Sequence, residues 1–332
     1  MLRTVTYNDI DPAAWRKLVR ESKTGTWFQS PEAYAFLSTQ TQLLFPFVIG
    51  VEDGGMQAVC VGYVTRESSP FKQFFTRRAI IYGGVCMADD ARDEAVEMLL
   101  TSIRTHIGAK AIYIETRNFN DYSPWKEAFV RAGFAYKPHL NVQIDCREGE
   151  QLLSRMSETR RKQLRRAERS GVEVSEANSP GEIDAWYAIL QEMYRQKVKT
   201  PLWPKAWFED AYRSRAATYL MVRYDGQVIG GLMLVEDADC VYEWYVCGRD
   251  EAYERQYPSV VATWAGMQYA HAQGKARCDL MGAGEPGKPY GVRDFKERFG
   301  GQTVEHGRFL SVTKPLLYRL GVLGVKIVRY MC

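Results

Sequence analysis

The chain has 332 residues, a formal charge of +4, 46% apolar residues and 25% charged residues. That is the profile of a soluble globular protein, of a length that fits two domains. No run approaches the ~18 apolar residues of a membrane span, and residues 1–9 lack the apolar centre of a secretion signal.

Residues 12–21 predict a first helix and 31–39 a second, with Pro31 in its first turn. Residues 45–51 and 57–66 predict strands joined by the hairpin signal Asp53-Gly54. A third strand follows at 79–85. Residues 90–107 set Ala95, Met98, Leu99 and Ile103 at helical spacing. A strand at 111–115, a helix at 123–132 stopped by Gly133 and a closing strand at 141–145 complete the first half. After a basic stretch the order repeats. Helices at 183–197 and 207–214 precede a hairpin of 218–224 and 227–236 across Asp225-Gly226. A strand at 240–247, a helix at 259–272, a strand at 277–281, a helix at 293–299 and a last strand at 307–312 follow. Antiparallel strands followed by β-α-β-α-β form an α+β layer pattern.

Short phrases echo between the halves. Phe295-Lys296-Glu297-Arg298-Phe299 has a counterpart in Trp125-Lys126-Glu127-Ala128-Phe129. A period this long is no solenoid repeat. One domain used twice is expected, with the chemistry kept in one copy. Seven scattered cysteines (60, 86, 146, 240, 247, 278 and 332) contain no C-x-x-C pair, which argues for a reducing cytoplasm and no disulfide framework. The four histidines show no ligand spacing, so no metal site is expected.

The element order, present twice, is that of the GNAT acyltransferase fold. Further landmarks are Thr159-Arg160-Arg161-Lys162-Gln163-Leu164-Arg165-Arg166-Ala167, Gly171-Val172, Tyr242-Glu243-Trp244-Tyr245, Asp279-Leu280-Met281-Gly282, and Phe295-Lys296 with Phe299-Gly300. With them the chain resembles the FemABX family of peptidyl (aminoacyl) transferases, in its compact FemX-like branch. The resemblance implies two tandem GNAT-like domains with mixed central sheets flanked by helices. The first spans 1–148 as a degenerate copy, the second 149–314 with the active site. A C-terminal helix at 315–332 packs back on the first domain. It also implies the activity: an amino acid passes from aminoacyl-tRNA to an amine of a peptidoglycan precursor peptide, nucleotide- or lipid-linked, with no cofactor. The expected place is the cytoplasm, with contact at the inner face of the membrane as an option.

Several residues carry this expectation. A helix from about 293 sets Phe295 and Phe299 one turn apart on its buried face, with Lys296 on an adjacent face. A lysine at a cleft stabilises a developing oxyanion by ~3–4 kcal/mol; the plain alternative is a surface lysine lying over the two rings. The resemblance favours Lys296 as an active-site residue. Strand alternation puts Glu243 and Tyr245 on one face and Tyr242 and Trp244 on the other. Glu243 is a candidate general base toward an amine, against an aromatic ladder with the glutamate at its edge. Asp279 either orients the amine or Lys296, or caps a turn. Arg160 falls on the apolar stripe of Leu153, Met156, Leu164 and Ala167, where an inward arginine needs an anionic partner. A phosphate clamp is one reading and a solvated linker helix the other. The family's early lysine for the acceptor diphosphate is missing from residues 27–34; Lys23, or Lys197 and Lys199 following Tyr194, are substitutes. Tyr245, Arg160, Tyr194, Lys197, Lys199 and Phe295 thus form the expected acceptor-binding set.

Residues 282–287 match G-x-G-x-x-G, but Pro286 and Pro289 oppose a helix start there, so a lid suits them better than dinucleotide binding. Neither 88–93 nor 255–260 has the glycine turn with which acetyl-CoA-using GNAT domains hold pyrophosphate. Transfer from an acyl-CoA or acyl-carrier donor to a surface sugar or lipid, and a silent precursor-binding module, are the competing readings. The tail from 315 is apolar and basic, fit either for a membrane surface or for packing on the first domain.

Overall fold

The computed structural model describes the backbone of all residues except Ser68 and Cys332, and the side chains of all but these, Pro70, Lys72 and 324–331. The chain folds as two compact units, residues 1–139 with 305–332, and residues 140–304. The first unit opens with β1 (Arg3–Thr6), α1 (Pro12–Glu21), α2 (Pro31–Thr39), β2 (Leu44–Glu52), β3 (Met56–Thr65) and α3 (Pro70–Thr76). It continues with β4 (Ala79–Gly83), β5 (Cys86–Met87), α4 (Asp93–Ile107), β6 (Tyr113–Asn118), α5 (Lys126–Arg131) and β7 (Ala135–Lys137). The second unit begins with β8 (Leu140–Asp145), α6 (Gly149–Arg155), α7 (Glu158–Arg169), β9 (Glu173–Glu176), α8 (Pro180–Met193) and α9 (Lys205–Arg213). Then come β10 (Thr218–Tyr224), β11 (Gln227–Glu236), β12 (Cys240–Gly248), α10 (Pro258–Ala272), β13 (Arg277–Gly282), α11 (Gly291–Glu297) and β14 (Gln302–Glu305). The chain returns to the first unit with β15 (Arg308–Val312) and α12 (Pro315–Met331).

Local chemistry sets the early helices. Asp11 accepts from the Ala13 and Ala14 amides ahead of α1, and Ser30 accepts from Ala33 ahead of α2. A proline occupies the first turn of each, where no amide partner is needed.

The two sheets have one plan. The first runs β1-β2-β3-β4-β6-β15-β7, and the second β9-β10-β11-β12-β13-β8-β14. In each, an antiparallel meander leads to one parallel pair, β4 with β6 or β12 with β13. The sixth strand of each sheet comes from the other half of the sequence. This corrects the expected boundaries: the strand at 141–145 does not close the first domain, and the strand at 307–312 does not close the second. Their apolar faces decide. Val142 and Ile144 of β8 are buried in the core with Cys278 and Leu280. Phe309 of β15 stacks on Phe129 of α5 with centroids 3.9 Å apart, inside the core of the first unit.

The basic stretch is two helices, not one. The first ends at Arg155, and Ser157 caps α7, its hydroxyl accepting from the Arg160 amide. α12 lies in the first unit, where Tyr318 sets its ring 5.5 Å from that of Tyr113. No described helix is long and apolar enough to cross a membrane.

Because β15 sits between β6 and β7, a chain ending at residue 304 strips the first unit of an interior strand and leaves the second whole. Limited proteolysis of that truncation is expected to degrade 1–139 and to leave a resistant core of 140–304. Equal resistance of both parts would contradict the strand exchange.

Candidate active site

In the first unit the parallel strands stay together from Ala79–Ile114 to Gly83–Asn118, the full length of β4. In the second unit β12 and β13 pair only as Cys240–Arg277, Val241–Cys278 and Tyr242–Asp279, although both strands continue. The sheet therefore opens at Glu243. Both flanking ladders are irregular at that level. Leu234 faces Glu243 and Met233 faces Tyr245, so Trp244 is an extra, bulged residue. The β13–β8 register slips between Asp279 and Gly282, with Met281 in the left-handed region at φ 64°.

Glu243 is 3% exposed, and neither carboxylate oxygen has a hydrogen bond of normal geometry among the described residues. Burial pushes its carboxyl up to about 7; Lys296 and the nearby Thr263 hydroxyl pull it down, and Asp279 adds to the rise. Thr263 belongs to α10 and is itself buried. Lys296 of α11 is 8% exposed, so it is not a surface lysine. Its ammonium donates to the Leu280 carbonyl at 2.5 Å and the Gly282 carbonyl at 2.9 Å, the two carbonyls exposed where β13 leaves β12. Two of its three protons are thus fixed and one is left for another acceptor. Burial holds its pKa below the usual lysine value, opposed by Glu243 and Asp279.

Asp279 is fully buried, and both its oxygens are engaged. Met281 donates its amide to one at 2.6 Å, and Gln143 of β8 donates to the other at 3.0 Å. This aspartate holds the turn that presents the Leu280 and Gly282 carbonyls. It is a positioning residue, in line with the turn-capping alternative of the sequence analysis.

The expected acceptor set does not gather at this pair. The bulge at Trp244 breaks the alternation, so Glu243 and Tyr245 do not share a face. The Tyr245 ring lies 5.1 Å from Phe208 and 6.1 Å from Trp207 on α9, while Glu243 faces α10. Tyr194, in a π-helical turn at Tyr194–Val198, lies 6.4 Å from Tyr245, so these two tyrosines do come together. Lys197 and Lys199 are exposed; Lys197 pairs with Glu251 at 2.9 Å. Lys23 pairs with Asp89. Arg160 is buried as expected, but it has no ion pair to a carboxylate among the described residues. Its guanidinium stacks over Phe295 at 4.3 Å and Phe299 at 5.2 Å, and donates to Gln163 and, at 3.5 Å, to the Phe295 carbonyl. Burial lowers its pKa to about 10, with Arg298 adding to the drop. Arg160 and Phe295 therefore hold α11 against α7 beside Lys296. Three contributors escaped the sequence reading: Thr263, Gln143 and the αL turn at Met281. Only Thr263 leaves a trace there, as a lone hydroxyl in the apolar run Val260-Val261-Ala262-Thr263.

The helix after β12 is also informative. α10 opens on Tyr257 in the left-handed region and Pro258, and its first free amide, Ser259, donates to the Asp250 carboxylate together with its own hydroxyl. A negative side chain already fills the place where a helix N-terminus receives an anion. In the G-x-G-x-x-G segment, Ala283 and Gly284 pair with Leu140, and Arg293 donates to the carbonyls of Glu285 and Lys288; no helix starts before Gly291.

The raised carboxyl of Glu243 has a cost with a definite sign. Its ordinary value is 4.5 and its folded value about 7. Between these pH values the folded state keeps a proton that the unfolded state has lost, so stability falls as pH rises through the window. Glu243→Gln is expected to stabilise the fold by up to about 3 kcal/mol at pH 8 and hardly at all at pH 4. Denaturant unfolding at the two pH values reads this out, and an equal effect at both contradicts the burial.

Comparisons with known proteins agree with this geometry. Residues 154–297 match the acetyltransferase (GNAT) domain family, within the second unit. No curated protein matches the chain significantly. Among solved structures, FemX superposes with a TM-score of 0.74 at 14% identity, over 96% of this chain and 99% of that one. A tandem GNAT protein from the clavulanic acid biosynthesis pathway gives 0.57 at 12% identity, over 94% and 99%. The C-terminal domain of a protein assigned as a lysylphosphatidylglycerol synthetase from Agrobacterium fabrum gives 0.59 at 12%, over 96% and 95%. The chain has the tandem GNAT fold, superposing on FemX along almost its whole length, with an acetyltransferase (GNAT) family match in its second unit.

Proposed function

We propose that this protein is an acyltransferase, and specifically an aminoacyltransferase, taking an amino acid from aminoacyl-tRNA and joining it to an amine of a peptidoglycan precursor peptide, nucleotide- or lipid-linked. The observation that carries the donor is the Asp250 carboxylate on the first free amide of α10. A CoA pyrophosphate laid at that helix end meets a negative charge and a spent donor, whereas an aminoacyl ester brings no phosphate to it. The likeness to FemX supports the acceptor class. A cytoplasmic site of action goes with such a donor.

The reaction is amine attack on an ester. The acceptor nitrogen bonds to the aminoacyl carbonyl carbon, the ester C–O bond breaks, and the tRNA ribose oxygen leaves with a proton. Glu243, ionised above about pH 7, takes the proton of the attacking ammonium or amine. The remaining proton of Lys296 faces the carbonyl oxygen, on which negative charge develops. Held by Leu280 and Gly282, that ammonium needs no reorganisation as the charge appears.

The test compares pools of radiolabelled aminoacyl-tRNA with acetyl-CoA, using precursor peptides as acceptors. Transfer from tRNA alone is expected, with kcat rising with pH about a midpoint near 7. Lys296→Ala is expected to lower kcat by about 10²–10³-fold, and Glu243→Gln to flatten the pH profile with a loss of about 10²–10⁴-fold. Transfer from acetyl-CoA overturns the donor assignment. Binding of a precursor with no turnover from any donor overturns the reaction.

A further inference from the structure

Two helices of the first unit, α3 and α12, pack side by side and leave apolar side chains in water. Phe71, Phe74 and Phe75 of α3 are 74, 47 and 40% exposed. Their spacing puts them on one face, and Phe75 lies 5.0 Å from each of the others. Leu316, Leu320 and Leu323 of α12 are 77, 56 and 55% exposed and fall at i, i+4 and i+7, again one stripe. The inner side of α12 is spoken for, by Tyr318 on Tyr113. An exposed aromatic and leucine face of this kind marks an interaction surface.

Charge selects the partner. Residues 70–78 carry Lys72, Arg77 and Arg78 and no acid; residues 314–332 carry Lys314, Arg319, Lys326 and Arg329 and no acid. These two segments carry +7 while the whole chain carries +4, so the rest of the chain sums to −3 even though residues 155–169 are a second basic run. The Arg77 guanidinium stands 5.5 Å above the Phe74 ring, a cation on the rim of the apolar face. A second copy of the chain would bring the same cations against these. An anionic leaflet complements both features: rings and leucines enter the headgroup boundary while lysines and arginines meet phosphates. Neither helix is built to cross a bilayer.

We propose that α3 and α12 together form a docking surface for a bilayer leaflet with anionic headgroups, making the protein a peripheral membrane protein through its first unit. The surface stands independently of the reaction assigned to the second unit.

Vesicle sedimentation of the full chain tests this, with phosphatidylcholine alone and with phosphatidylcholine containing phosphatidylglycerol. Binding to the mixed vesicles is expected to exceed that to the neutral ones by at least about tenfold, and to weaken with salt. Phe71→Ser/Phe74→Ser/Phe75→Ser and Leu316→Ser/Leu320→Ser/Leu323→Ser should each lower the partition by about tenfold or more. Should an apolar variant fail to fold by circular dichroism, Arg77→Gln/Lys314→Gln/Arg319→Gln gives a parallel readout, the loss of preference for anionic vesicles. Absence of vesicle binding, or binding that all three variants leave unchanged, overturns the proposal. So does a concentration-dependent dimer, seen by light scattering, that the serine variants abolish.

Discussion

Two parallel strands that stop pairing after Tyr242 and Asp279 set the terms for the whole second unit. Where strands part inside a sheet, backbone carbonyls and side chains that the ladder would have used are left in a dry space, and unpaired polar groups there are costly. The protein meets that demand with an ammonium. Lys296 takes the carbonyls of Leu280 and Gly282. Once a cation is buried, a carboxylate beside it is tolerated, and Glu243 is held in a range where it exchanges a proton near neutral pH. The surrounding residues serve this pair. Asp279 and Gln143 fix the turn that presents the carbonyls, and Arg160 with Phe295 and Phe299 grips the short helix that carries the lysine.

The first unit shows what the same plan looks like without that demand. Its sheet has the same strand order, yet β4 and β6 remain paired to the end of β4. The motif echo of Lys296, Lys126, sets its ammonium over the Tyr136 ring instead of reaching into a gap. One fold is thus used in two ways, a closed sheet that keeps its core and an opened one that pays for its opening in buried charge. The alternating strand exchange makes each unit depend on the other half of the sequence.

Much of this was legible in the sequence. The Asp11-Pro12 and Ser30-Pro31 pairs mark helix starts, the Asp-Gly hairpins mark paired strands, and the doubled order of elements implies the tandem GNAT plan, because these signals are local. The partners of β8 and β15 were not legible, since two copies of one strand pattern do not say which core each will fill. The bulge at Trp244 was hidden as well: a single extra residue reverses every later side chain, and it turned Tyr245 toward α9. The stripe through Arg160 was read correctly as inward, but its partners proved to be rings, supplied from α11 far along the sequence. For Asp279 the sequence left an orienting role and a turn cap open, and the amides of Met281 and Gln143 decide for the turn. α3, only seven residues long, was passed over although Ser69-Pro70 carries the same start signal.

The central claim is that Glu243 and Lys296 share one buried electrostatic site. The most direct measurement is an isotope-edited infrared titration of the Glu243 carboxyl in the wild-type protein and in Lys296→Met. A midpoint near 7 in the wild type, moving upward when the ammonium is removed, is the predicted result. A midpoint at the ordinary carboxyl value, or one indifferent to Lys296, would contradict the account.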